Sequence, residues 1–258
     1  MKIAFLTTFG IISTLGGIVW YSAKDKLPMT PADHISTLSE KDYARGDLRE
    51  NDVVQRMTPR MSRELALKGL TLGSPVFIRV FKESRELELW MLHSATGKFR
   101  HFKTWRIAAM SGNPGPKLAE GDFQAPEGFY HVGRARMKPN SHYHLAFNIG
   151  FPNTYDLAHQ RTGSFIMIHG KRASVGCFAM TDPSIEEIYT LCTLALKKGQ
   201  PYFRVHIFPF PMTPQRLALK SNHRWHAFWS NLKEGYDWFE THQSPPEVSV
   251  KEKRYQFR

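Results

Sequence analysis

The segment SFIMIHGKRASVGCFAM, residues 164–180, holds the residue types that acyl transfer needs at a usable spacing. An apolar run leads into His169, a short polar connector follows, and Cys177 opens a second apolar run. Read as two strands paired antiparallel, the runs set His169 and Cys177 across one ladder, with Cβ atoms about 4.5–5.5 Å apart. An imidazolium beside a thiol lowers the thiol pKa from about 8.5 and supplies thiolate at neutral pH. Lys171 and Arg172 add to the same positive field. Gly176 lets the backbone turn tightly and leaves its N–H and that of Cys177 free to face an oxyanion. Ser174 is either a polar support beside that site or a turn residue. On spacing alone a buried, inert cysteine is the commoner outcome. Cys192 falls on the apolar face of an expected helix and is read as inert. A Cys177–Cys192 disulfide would abolish the thiol chemistry.

Other constellations carry less. No His-Glu-x-x-His occurs, and Gly170-Lys171 lacks the flanking residues of a phosphate loop. His142 with His144, and His223 with His226, offer pairs of imidazoles without a third ligand, so they are read as solvated or packing groups. No metal or cofactor is called for. Trp225, Trp229, Tyr236, Trp238 and Phe239 recur at helical spacing and are read as a packing face, not as a base-stacking surface. No nucleic-acid partner is expected. The 35 basic and 23 acidic residues leave a net charge of +12. That charge is scattered, and it favours an anionic matrix without specifying a fold.

The elements that must position these residues follow from patterning. With 41% apolar and 22% charged residues, the 258-residue chain is neither disordered nor a bundle of membrane spans. Ile3–Tyr21 has no charge, and its length lies between a signal-peptide core of about 7–15 residues and a span of about 20. Residues 1–23 are therefore a cleaved signal or an uncleaved signal anchor, and the protein is exported. Residues 24–56 are polar and read as a tether. Residues 57–258 read as the folded domain, with Thr58-Pro59 opening a short helix that ends at Gly69. Strands are expected at Val76–Phe81, Glu86–Leu92, Phe102–Ala109, Phe129–Val132, Leu145–Ile149, Ser164–His169, Gly176–Met180 and Tyr202–Phe208. A helix at Pro183–Lys198 is capped by Asp182, with Ile185, Ile188, Tyr189, Cys192 and Leu196 on one face. Helical stretches are expected around Gln215–Lys220 and His223–Phe239. The class is mainly β, an α+β domain decorated by helices.

The His-Gly followed by Ser-x-Gly-Cys resembles the active-site signature of L,D-transpeptidase (YkuD-type) catalytic domains. Flanking blocks extend the likeness in the same order: GSPVFI from Gly73, GNPGPK from Gly112, GDFQAPEGFY from Gly121, and NIGFPN with YDLAH from Asn148 to His159. The resemblance spans roughly residues 73–250 and is nearest to a YafK-like branch that includes an amidase detaching murein lipoprotein from peptidoglycan. It implies a β-sandwich or barrel-like catalytic domain, with Cys177 as nucleophile and His169 as base and later acid. It also implies attack at the L-centre of meso-diaminopimelate in a stem peptide, through a thioester. The implied partners are peptidoglycan stem peptides, a peptidoglycan-linked lipoprotein and the inner membrane, in a periplasmic setting. Val175 stands where the common pattern has a second His, Ala179 where an Arg follows the Cys, and the His-to-Cys connector is short. The first two departures remove polar groups that could hold a donor or acceptor strand. Hydrolytic release is therefore favoured over cross-linking or attachment of proteins to the wall, and an idle peptidoglycan-binding scaffold is the alternative from another class. Asp156 and His159 could orient His169 or simply pack at a strand end.

Overall fold

The computed structural model describes residues 40–258, so the expected signal or anchor at 1–23 lies outside the described residues. Among the described residues no helix is long and apolar enough to cross a membrane.

The first element overturns the boundary placed between tether and domain. A helix, α1, runs from Glu40 to Ala66 with Pro59 inside it. Thr58, expected as its cap, lies mid-helix and donates its hydroxyl to the Val54 carbonyl at 2.6 Å. Val53, Met57, Met61 and Leu65 recur at four-residue spacing, are buried and join the main core. The polar residues between them are ion-paired to distant parts of the chain. Glu50, 2% exposed, accepts from Arg134 at 2.9 and 2.6 Å and meets Lys197 at 3.1 Å. Arg56 pairs with Glu186 at 2.8 Å and Arg60 with Glu187 at 2.5 Å. A polar run thus became a docked helix because its partners lie far away in sequence.

Strands β1 (Val76–Phe81), β2 (Glu86–His93), β3 (Lys98–Arg106) and β4 (Gly128–Gly133) follow. Next come short strands β5 (Met137–Lys138) and β6 (Ala146–Asn148), helix α2 (Thr154–Ala158), and strands β7 (Met167–His169) and β8 (Phe178–Ala179). Helix α3 (Asp182–Lys197) leads to β9 (Tyr202–Phe208), helices α4 (Pro214–Ala218) and α5 (His226–His242), and the hairpin β10 (Val248–Lys251) with β11 (Arg254–Phe257). One sheet has the order β3-β2-β1-β9-β4, a second β5-β6-β7-β8, and the hairpin stands apart. In the first sheet β1 pairs parallel with β9, and the other neighbours are antiparallel. The expected strand over 102–109 starts and stops earlier. Its last residues instead bridge the sheets, with Ala109 pairing Ala179.

The α+β class holds, as two sheets with flanking helices. Both faces of β1 are covered, so all six of its residues are buried. Val76, Ile78 and Val80 face the main core with Leu87, Leu89, Val205, Ile207 and the apolar face of α3. Phe81, Phe129 and Phe208 face a second cluster made with Phe228, Trp229 and Leu232 of α5, as the aromatic spacing there requires. Gly235 lets α5 approach closely, since a Cβ there would sit 2.4 Å from Phe257 and 2.7 Å from Phe129. Asp182 does not cap α3: Thr181 is the cap residue, and an Asp182 carboxylate oxygen accepts from the Lys171 N–H at 2.7 Å. Residues Asp42–Arg258 form one compact unit.

Candidate active site

The two strands carrying His169 and Cys177 are neighbours, but they run parallel. Ile168 pairs with Phe178 and His169 with Ala179. The antiparallel arrangement expected from the short connector is therefore corrected: the connector crosses back to the starting end of β7 before β8 begins. Positive φ angles at Lys171 and Gly176, +58° and +80°, turn the chain out and back. Asp182 holds the first turn, and the hydroxyl of Ser111 holds the second by accepting from the Gly176 N–H at 2.7 Å.

The parallel register still brings the two groups together. Ile168 and Phe178 both enter the main core. Their neighbours point the other way, so His169 and Cys177 share the opposite face, offset by one diagonal step. No hydrogen bond joins the imidazole to the thiol, so the pairing rests on their shared face, one diagonal step apart in the ladder. Ala179, fully buried, lies directly opposite His169 and leaves it room. Cys177 is a free thiol and half-buried, whereas Cys192 is a free thiol in the core.

Each group is held by backbone. His169 is 3% exposed. Its Nδ1 lies 2.6 Å from the Gly170 carbonyl. A carbonyl only accepts, so Nδ1 carries the proton and Nε2 carries the lone pair. The Cys177 Sγ accepts from the Met167 N–H at 3.3 Å and approaches the Phe165 carbonyl at 3.6 Å. Neither of these partners is the imidazole. Burial pushes the thiol pKa up, while the Met167 N–H and the charge of Lys117 pull against it. Burial pushes the His169 imidazole down, opposed by its bond to Gly170. Thiol and imidazole are thus both uncharged at neutral pH, rather than a preformed thiolate–imidazolium pair.

Other expectations are redistributed. The cation whose charge favours the thiolate is Lys117, while Lys171 lies over the Tyr143 ring, 5.7 Å from its centroid. Lys117 is 5% exposed, and its Nζ is 2.6 Å from Asp122 and 2.9 Å from the Ala119 carbonyl. Gly176 does not offer a free N–H, because Ser111 takes it. The Cys177 N–H has no backbone partner among the described residues and is the remaining donor for an oxyanion. The Ser174 hydroxyl is buried without a hydrogen-bond partner. Asp156 and His159 do not orient His169. Asp156 binds Arg161 and Tyr130, and the His159 Nε2 meets the Lys253 carbonyl at 2.9 Å. Of the histidine pairs, His144 contacts Glu186 and His223 stacks on Trp229.

A buried ion pair ties the loop that carries Ser111 to the core. Lys82 and Glu127, both with fully buried side chains, meet at 3.0 Å. Lys82 also donates to the carbonyls of Gly115 and Ala125, at 2.6 and 2.8 Å. Glu127 accepts from the Gly115 N–H at 2.5 Å and from the Trp229 indole at 2.8 Å. The Gly/Pro-rich stretch that carries Ser111 and Lys117 is thereby tied to β1 and α5. Ser111, Lys117 and Tyr143 were not singled out from sequence. Only Lys117 left a trace, as a lone cation within a Gly/Pro-rich block.

Residues 77–207 match the YkuD family, the L,D-transpeptidase catalytic domain. The Escherichia coli K12 protein named "Putative L,D-transpeptidase YafK" is 46% identical over 188 residues, covering 73% of this chain and 76% of that protein. Among solved structures, the helical cell shape determining protein Pgp2 from Campylobacter jejuni aligns with a TM-score of 0.43 at 19% identity, over 69% of this chain and 73% of that one.

Proposed function

The chain belongs to the L,D-transpeptidase (YkuD) catalytic-domain family, and from that premise we propose that it is an exported cysteine acyl-transfer enzyme. Its substrate is a peptidoglycan stem peptide, opened at the L-centre of meso-diaminopimelate with water as the acceptor. The bond broken joins diaminopimelate to a peptidoglycan-linked lipoprotein. The observation that carries the reading is the shared face of His169 and Cys177, with Nδ1 spent on Gly170 and Nε2 left to move a proton.

In this reading Nε2 takes the thiol proton as Sγ attacks the carbonyl carbon. Negative charge develops on the carbonyl oxygen, where the Cys177 N–H is the available donor. The tetrahedral adduct collapses to a thioester. The lysine amine leaves with the proton returned by Nε2. Water then attacks the thioester while Nε2 takes its proton, and the carboxylic acid departs as the thiol is re-formed. Two substitutions support water over an amine acceptor. Val175, 66% exposed, and Ala179, fully buried, put apolar groups where the common pattern has His and Arg. The uncharged stretch near the N-terminus supports export, with the domain periplasmic and held at the inner membrane if that stretch is retained. The +12 charge suits an anionic wall.

The full chain incubated with sacculi bearing covalent lipoprotein tests this. Release falls by about a thousandfold or more in Cys177→Ala and His169→Ala. Release from Cys177→Ala at the wild-type rate overturns the mechanism. Cross-linked dimers from tetrapeptide donors, seen by mass spectrometry in place of hydrolysis products, reassign the acceptor from water to an amine.

A further inference from the structure

Helix α1 lies outside residues 77–207, the stretch that matches the family. It nevertheless reaches the site. The Nη1 of Arg49 donates to three carbonyls of the loop between β5 and β6: Pro139 at 3.2 Å, Ser141 at 3.1 Å and His144 at 2.8 Å. The helix backbone itself presses on that loop, since a Cβ at Gly46 would lie 3.1 Å from the Asn140 Cβ. His144, whose carbonyl Arg49 already holds, is gripped a second time through its side chain. The residue, at φ +71°, contacts Glu186 of α3 at 2.9 Å, and Glu186 is held by Arg56 of α1. Between Ser141 and His144 stands Tyr143, 46% exposed. Its ring centroid lies 4.7 Å from that of His169, with the planes at 50°. The loop carbonyl at Tyr143 packs against Gly170, where a Cβ would come within 2.8 Å of it.

We propose that Arg49 is a positioning residue of the active site: by gripping the 139–144 loop it keeps the Tyr143 ring against the His169 imidazole and so fixes the plane of that imidazole. The hydrogen bond from Nδ1 to Gly170 restrains the imidazole at one nitrogen, and the Tyr143 ring supports it from a second side. An aromatic neighbour at this centroid distance adds packing that resists tilting of the imidazole. A guanidinium suits the task, because it is always charged and its donors are fixed in a plane against several carbonyl dipoles. The inference rests on the proposed role of His169 as base. A base whose lone pair points about 1 Å astray can cost on the order of a hundredfold in rate.

The test uses the full chain with carbon-13-labelled histidine. The His169 ring-proton resonances are assigned by their loss in His169→Gln. In wild type they carry a ring-current shift from Tyr143, which Tyr143→Ala removes. Arg49→Ala moves them toward the Tyr143→Ala positions, and Arg49→Lys restores them in part. In the release assay Arg49→Ala lowers kcat by about tenfold with KM little changed, and the same change made in Tyr143→Ala has no further effect. Unmoved His169 resonances in folded Arg49→Ala overturn the proposal, as does an undiminished tenfold loss in the Tyr143→Ala background. Should Arg49→Ala not fold, Tyr143→Ala, at an exposed position, carries the test: unchanged resonances and unchanged kcat overturn the proposal. The resonance measurement needs no turnover. If Cys177→Ala proves active, the proposed function fails while the Arg49–Tyr143 coupling is still read directly.

Discussion

The Met167 N–H donates to the Sγ of Cys177 at 3.3 Å, so the backbone of one strand holds the sulfur at the head of the next. One such bond and the charge of Lys117 do not outweigh burial, and the thiol stays protonated at neutral pH. Alkylation of Cys177 by iodoacetamide therefore rises with pH, with a midpoint above that of an ordinary free thiol. Buried Cys192 does not contribute. An alkylation rate already at its plateau below pH 7 would show a preformed ion pair instead.

Lys117→Met removes the side-chain charge that, among the described residues, favours the thiolate. The midpoint moves further up, and alkylation at pH 8 slows roughly two- to fivefold, a fraction of a pKa unit. Asp122 keeps its bonds from the Leu118, Ala119 and Gln124 N–H groups, so the turn it organises survives. A rate equal to that of wild type would mean that Lys117 is electrostatically remote from the sulfur.

Gly176→Ala separates strain from crowding. An added Cβ meets nothing closer than 3.7 Å, but φ there is +80°. The cost is that of a left-handed non-glycine residue, about 1–2 kcal/mol by urea unfolding. Because the next residue is Cys177, release activity falls by more than about tenfold, out of proportion to the stability lost.

Lys82→Met leaves Glu127 charged in a dry site. About 3–5 kcal/mol of stability is lost. Lys82→Met combined with Glu127→Gln recovers part of it, since no unpaired charge remains. Equal losses for the single and double variants in urea unfolding would refute the account of the pair.

Glu50 makes the docking of α1 sensitive to acid. Burial pushes its carboxyl up, but Arg134 and Lys197 outweigh that and hold it below 4.5. Its contribution is thus present above that value and fades as pH falls through the lower, folded one. Glu50→Gln costs about 1–3 kcal/mol at pH 7, moderated because Arg134 and Lys197 stay partly solvated. The gap to wild type narrows as pH drops below 4.5, and a gap independent of pH would show that the charge is not what matters.

Short apolar and aromatic runs bounded by turn residues located β1, β2, β4 and β9 to within a residue or so, and the apolar face of α3 was readable from Ile185 to Leu196. Direction was not readable, because a strand's residue pattern is the same whether it runs with or against its neighbour. The pairing of β7 with β8 was therefore misjudged while His169 and Cys177 were still found. The helical character of 40–56 was hidden for another reason. Among its described side chains the apolar stripe begins at Val53, and the ion pairs that dock the rest join residues such as Glu50 and Arg134, far apart in the chain. Ser111 and Tyr143 sit in loops, where no periodicity announces a role. The expected free N–H at Gly176 failed because its acceptor comes from such a loop.

The stretch that matches the family ends short of two attachments on which the site depends. Arg49 and Glu50 precede it, and Trp229, which holds the Glu127 carboxylate, follows it. A fragment excised at residues 77 and 207 would keep both reacting side chains yet strip the apolar lining of β1 and β9 from one side and the brace of the 139–144 loop from the other. The family core, α1 and the C-terminal hairpin accordingly belong to one compact unit, Asp42–Arg258.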